Sequence, residues 1–269
     1  MECPTCTAFE LPERHRGPYS ELIVSIGRSP DTVVARAAWL ALPAWSSWTP
    51  DLTEEARARL TDVAETSVWR AVGPAVVAQV DAGREVLPEV LLALATLDAA
   101  DPTGTDPARD RPARRRLDEL VRELTSWAGQ HPVRDLGALR VAGERLSGQP
   151  EFVPQAAALL LAAVQLTEPA GAGLAALCDL LSDRPVTAAG LAHRLAERAA
   201  TGVPGIVLAA GRELAARRDL AGGLFAHALA TAGREHGWPA DWRALVADLR
   251  GSSHPDVRAA ALDLATADE

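Results

Sequence analysis

The chain of 269 residues contains neither lysine nor asparagine, so arginine alone supplies its 27 strongly basic side chains. Without lysine there can be no Walker-type phosphate loop, no kinase-like lysine and no Schiff base to a carbonyl or to pyridoxal phosphate. Without asparagine there is no N-glycosylation sequon. Aromatic residues make up only 4% of the chain, with one tyrosine and three phenylalanines, and isoleucine is scarce, which starves a β-sheet of its preferred residues. Lys, Asn, Ile, Phe and Tyr share AT-rich codons, so their shortage reads as the coding bias of a GC-rich bacterial genome. Three cysteines make no even disulfide framework, which predicts reduced thiols and a cytoplasmic protein.

Two further absences concern membranes and polyanions. The start of the chain, Met1-Glu2-Cys3-Pro4-Thr5-Cys6, has no basic region followed by an apolar stretch, so it does not read as a secretory signal. The most apolar run, Ala156 to Val164, falls far short of the roughly 20 residues that span a bilayer. The net charge of −9 and the pI near 5.2 argue against a general nucleic-acid binder, which carries a basic footprint.

What is present in abundance is Ala, Leu, Arg and Glu, the strong helix formers. From Pro112 to Ala128, residues Leu117, Leu120, Val121, Leu124 and Trp127 fall on one apolar stripe, while Arg and acidic residues fill the rest. Pro112 suits the first turn of that helix, and Gly129 with Pro132 closes it. The same grammar predicts an all-α chain with helices near 19–27, 31–44, 51–65, 67–82, 85–99, 112–129, 134–147, 151–166, 171–182, 186–200, 204–218, 221–236, 239–250 and 255–267. The helix near 152–166 is apolar nearly all round, which predicts a central position. Residues 1–17 read as an irregular N-terminal segment. Residues 18–269 read as a single helical domain interrupted by a flexible loop at 101–111, where two prolines and a glycine have no apolar anchor beyond Ala108.

Short helices in series suggest an α-solenoid of antiparallel pairs. The segment His254-Pro255-Asp256-Val257-Arg258-Ala259-Ala260-Ala261-Leu262 resembles the second helix of a HEAT repeat, in which an Asp and a Val-Arg precede small residues at helical spacing. Partial echoes stand at His131-Pro132-Val133-Arg134 and at Ser29-Pro30-Asp31 with Val34 and Arg36. The resemblance implies a HEAT-like solenoid of 13–14 helices, with Asp256 and Arg258 in a polar ladder between repeats. It also implies the C-terminal region of a longer bacterial HEAT-repeat protein, because no polar cap helix is evident at either end.

Cys3-Pro-Thr-Cys6 could form half a zinc site with His15, or a redox pair. A structural zinc site wants four ligands, and the remaining Cys178 sits in an apolar helix, so an exposed terminal segment is the simpler reading. His131 and His254 precede prolines at helix starts, and His193 and His227 lie beside apolar residues as core or groove histidines. Gly171-Ala-Gly173-Leu-Ala-Ala176 imitates a dinucleotide fingerprint without the strand that such a site needs. Arg109, Arg111, Arg114, Arg115 and Arg116 form the most basic cluster, yet six acids balance six arginines across 101–123. Pairs such as Arg114–Asp118 and Arg115–Glu119 would absorb much of that charge on the helix face.

Trp39 and Trp69 fit helix stripes and read as core, and Trp238 with Trp242 forms a second pair. Trp45 and Trp48 fall in the turn between Pro43 and Pro50 and are predicted to project as a contact surface. No cofactor, metal or small-molecule ligand is implied. The expectation is a non-enzymatic protein-binding or scaffolding module, with Trp45, Trp48, Arg111, Arg114 and Arg115 as contact candidates and an unidentified protein partner. The alternative is a HEAT-like DNA glycosylase, which uses Trp and Asp in a basic cleft and is opposed by the acidic balance.

Overall fold

The computed structural model describes residues 11–102, 111–131 and 136–266. Among these residues there are fourteen α-helices, three short 3-10 turns and no strand. By contacts the chain falls into two compact units, Met1–Leu146 and Ser147–Glu269, where the sequence suggested one continuous domain. Residues 103–110 of the expected 101–111 loop and the Pro132-Val133-Arg134 echo lie outside the described residues.

The first unit holds α1 (Glu13–Gly27), α2 (Thr32–Ala41), α3 (Thr53–Thr61), α4 (Trp69–Asp81), α5 (Val86–Ala99), α6 (Pro112–Gln130) and α7 (Gly137–Ser147), the last ending at the boundary. A 3-10 turn over Leu42–Trp45 follows α2. Within this unit α2 packs on α4 and α4 on α6, while α3 packs on α5. α1 begins earlier than the expected boundary at residue 18. It runs through Pro18, which forfeits one ladder bond but does not stop the helix. Ser20 then ties α1 down, its hydroxyl donating to the carbonyls of Gly17 and Trp48 at 2.8 Å each.

The second unit holds α8 (Val153–Ala163), α9 (Gly171–Leu180), α10 (Pro185–Ala199), α11 (Pro204–Arg217), α12 (Leu220–Ala230), α13 (Ala240–Arg250) and α14 (Pro255–Leu262). Here α8 packs on α10, α10 on α12 and α12 on α14, while α9 packs on α11 and α11 on α13. The centre of this unit is α12, which touches α9, α10, α11, α13 and α14 and buries Phe225, Ala226 and Leu229 completely. The missing side chain of Gly223 makes that possible. A β-carbon there would lie 2.7 Å from Val257 Cγ2, so Val257 of α14 seats directly on the backbone of α12. Val257, Ala261 and Leu264 are buried as their spacing predicts, although Leu264 lies just beyond the end of α14. The polar ladder implied by the HEAT resemblance is different. Arg258 donates to Ser252 O at 2.7 Å in its own preceding turn, and Asp256 is exposed without a partner.

Helix C-termini leave carbonyl groups that the helix itself cannot satisfy. In this protein arginines from other helices or turns reach them. Arg59 donates to Gly27 O and Ser29 O, at 2.9 and 3.1 Å, beyond the end of α1. Arg116, fully buried at 1% exposure, donates to the carbonyls of Leu60 at 2.9 Å, Asp62 at 2.7 Å and Arg59 at 3.4 Å, and also to that of Glu65. Arg198 reaches Leu161 O at 2.6 Å and Val164 O at the end of α8. Arg250 reaches Ala261 O and Leu264 O at 3.2 and 2.8 Å at the end of α14.

Replacing Arg116 by Met should therefore cost about 3 kcal/mol or more in urea unfolding, because several buried carbonyls lose their donor at once. Removing exposed Arg140 in the same assay should cost under about 0.5 kcal/mol. His227 offers a second test. Its Nε2 sits 3.0 Å from Ala260 O, and burial lowers its pKa below the ordinary value, so the folded state keeps it neutral. The unfolded chain takes up the proton first. Stability is then complete above an ordinary histidine pKa of about 6.5 and declines as pH falls below it. A His227→Gln variant should flatten that decline in thermal melts between pH 8 and 5.

Candidate functional site

Several contact candidates from the sequence are engaged inside the first unit. Trp45 is 0% exposed, a correction to its expected place on the surface. Neighbouring aromatic rings cover it: Tyr19 of α1 lies with its centroid 4.8 Å from the Trp45 ring, and Trp48 meets it edge-on at 6.1 Å. Trp48 is half-buried, with the Arg16 guanidinium 4.9 Å from its ring centroid. Arg111 and Arg114 both grip Asp98 at the end of α5, at 2.5 and 2.8 Å, and Asp98 itself is 1% exposed. Their charge is spent on a buried carboxylate, so they join α5 to α6 and do not form a free basic patch. Arg115 is exposed and lies 5.9 Å from the Trp69 ring.

The remaining motifs are soon placed. Cys3 and Cys6 lie outside the described residues. Burial pushes the Cys178 thiol up to about 12, which leaves it protonated and unreactive at neutral pH. His193 is exposed, against the expectation of a core or groove position, because its helix turns that side to solvent beside Glu197. Gly171 opens α9 as a plain helix start. Among the described residues no three His, Cys, Asp or Glu side chains come together as a metal site.

The feature with the most chemistry is a groove of about 580 Å³ between α4 and α6 in the first unit. Pro43 and Pro74 with Val77 and Trp127 form its apolar walls, and Asp81, Arg122, Glu123 and Ser126 stand along it. The sequence positions these groups simply. Glu65 caps α4, its carboxylate accepting the backbone N–H groups of Val68 and Trp69 at 2.8 and 3.0 Å. The apolar stripe of α6 packs inward through Leu117, Leu120 and Leu124, which turns Glu123, Ser126 and Trp127 toward the flank that borders α4. Trp127 is half-buried. One side of its indole stacks on His131 with centroids 5.4 Å apart and planes at 28°, and His131 Nδ1 lies 2.9 Å from Trp127 O.

Glu123 is the unusual member. Its Oε2 is buried and has no hydrogen-bond partner. Burial raises its pKa, the neighbouring Glu119 carboxylate adds to the rise, and Arg122 opposes it. A β-carbon on Gly73 of α4 would collide with this carboxyl group, so the glycine provides the notch that admits it. A smaller hollow of about 400 Å³ near Trp39 has its charges already committed, with Arg59 on the α1 carbonyls and Arg28 paired to Glu55.

Sequence reasoning placed Trp127 on a helix stripe but missed Gly73, Pro74, Asp81 and Glu123. The available signal was the Gly73-Pro74 pair inside an otherwise regular helix, an arrangement that costs stability unless something uses it. Beyond these geometric features, no family model, no curated protein and no solved structure matches the chain.

Acrylamide quenching of variants that each retain one tryptophan would check this placement. Trp45 should be the most protected, and Trp48 and Trp127 should be quenched several-fold faster. Equal protection of Trp45 and Trp127 would mean that the groove is closed in solution.

Proposed function

We propose that this chain is a non-enzymatic protein-recognition module of a bacterial cytoplasm, built on a HEAT-like α-solenoid, with the α4–α6 groove as its contact site. The solenoid reading is supported by the packing within each unit, where each helix from α2 to α4 and from α8 to α12 packs on the next but one. The observation that carries recognition is the half-exposed Trp127 in a groove that Pro43, Pro74 and Arg122 also line. Trp and Arg dominate the energetics of protein interfaces, and a rigid proline wall holds the opposing surface in place at little entropic cost.

The glycosylase alternative draws on the same groove, which sets Trp127 near Asp81 and Arg122. Electrostatics favour protein over DNA. Two carboxyl groups and one arginine stand along the groove, whereas a nucleic-acid backbone calls for clustered positive charge.

A photo-crosslinking residue at Ser126, exposed on the groove, would test this in the producing cells. A discrete polypeptide adduct is expected, and Trp127→Ala should reduce it roughly 30-fold, the equivalent of a hot-spot loss of about 2 kcal/mol, without changing the melting temperature. An adduct indifferent to Trp127→Ala, or release of bases from alkylated duplex DNA by the purified protein, would overturn the reading.

A further inference from the structure

Pro74 lies inside α4 and has no N–H, so the carbonyl of Arg70, four residues earlier, loses its regular helical donor. Side chains on a helix lean toward its N-terminus, so the space that a Gly73 β-carbon would fill lies over the turn containing Arg70. The Glu123 carboxyl group occupies that space. A carboxylate can only accept hydrogen bonds, and so can a carbonyl. Two acceptors brought together repel each other, and an unpaired buried acceptor, as Glu123 Oε2 is, costs about 1–3 kcal/mol. One proton removes both problems.

We propose that Glu123 is held as the neutral acid, donating its Oε2–H to the carbonyl of Arg70 that Pro74 frees, and that this proton locks α4 to α6 and sets the shape of the groove they form. In the protonated state the carboxyl group stays in the Gly73 notch and the groove keeps its apolar walls around Trp127. When the proton leaves, the carboxylate is driven out of the notch toward water, which means into the groove. The regulation of binding rests on the groove being the contact site, whereas the lock itself does not.

The charges around Glu123 are few. On α6, Glu119 favours the neutral acid and Arg122 the ionised form. From α4, Asp81 stands along the groove and the Arg70 guanidinium lies near the Trp69 ring. The turn carrying Pro43 holds no ionisable group. On α5, Asp98 is taken by Arg111 and Arg114, and Glu89 by Arg145. On α3, Glu55 pairs with Arg28, Glu54 with Arg57, and Arg59 binds the α1 carbonyls.

Carbon-13 carboxyl NMR on the full chain, with the Glu123 resonance assigned through Glu123→Gln, tests the lock directly. The midpoint should lie above the ordinary glutamate value of about 4.3, and Gly73→Ala should return it there by evicting the carboxyl group. Stability tells the same story with a fixed sign. The folded state holds the proton longer than the unfolded chain, so stability is complete below the ordinary value and is lost as pH rises through the raised one. Glu123→Gln, whose amide keeps a donor at the notch, should remove that slope without unfolding the protein. A Glu123 carboxyl that titrates at or below the ordinary value, or a Glu123→Gln slope equal to that of the parent, overturns the lock. The Ser126 crosslink should weaken as pH rises from 5 to 8 in the parent and stay constant in Glu123→Gln. A crosslink that ignores pH in the parent overturns the regulation, while the absence of any crosslink overturns only the contact site and leaves the NMR result to decide the lock.

Discussion

A helix that ends against its neighbours presents carbonyl oxygens that its own backbone cannot satisfy. In this protein arginine side chains satisfy them, and much of the packing depends on it. Arg59, Arg116, Arg198 and Arg250 each reach at least two carbonyls in or just after the last turn of a helix. The guanidinium suits this task because its planar fork carries five donors, stays charged under all ordinary conditions and is weakly hydrated for a cation. A lysine ammonium in the place of Arg116 would bring a compact, strongly hydrated charge with fewer donors, and it would pay more to leave water. A composition without lysine is thus well matched to a fold of short helices with many buried ends.

The second constraint is the absence of β-carbons where helices meet closely. Gly223 of α12 admits Val257, an apolar contact that completes the core of the second unit. Gly73 of α4 uses the same geometry for a different guest, the Glu123 carboxyl group. What separates the two is Pro74. Next to Gly223 the helical ladder has a donor at every position, so an apolar side chain leaves nothing unsatisfied. Next to Gly73 the ladder lacks one donor, so a polar guest has something to bind. A local fault in one helix and a polar residue on another are complementary, and the groove with Trp127 lies beside them.

Tryptophan placement follows from the same economy of large side chains. With three phenylalanines and one tyrosine in the chain, the indoles must fill most of the large gaps. Trp39 and Trp45 are fully enclosed in the first unit, and Trp238 and Trp242 are buried in the second. Trp127 stays half-exposed because the α6 stripe is already satisfied by leucines, which leaves the indole on the flank of the helix. Trp48 in the Pro43–Pro50 turn is half-exposed too, but the Arg16 guanidinium covers its ring, whereas Trp127 lines a groove, which is why the groove carries the functional reading.

The sequence by itself determined the helices. Apolar spacing of 3.6 residues, prolines in first turns and the shortage of β-formers located all fourteen described helices, with ends off by several residues at α1, α2, α3, α7, α8, α12 and α14, in α2 and α12 because a 3-10 turn finishes the element. It also identified the Trp39 and Trp69 core positions and the burial of Val257 and Ala261. Only the tertiary structure decided which side chains serve which helix ends, that Trp45 lies beneath Tyr19, that Arg111 and Arg114 converge on Asp98, and that Glu123 meets Gly73. Helix periodicity is a local property, written within a dozen residues. These contacts join groups separated by 11 to 57 positions in the chain, and nothing local to either partner fixes the distance between them until the helices have packed.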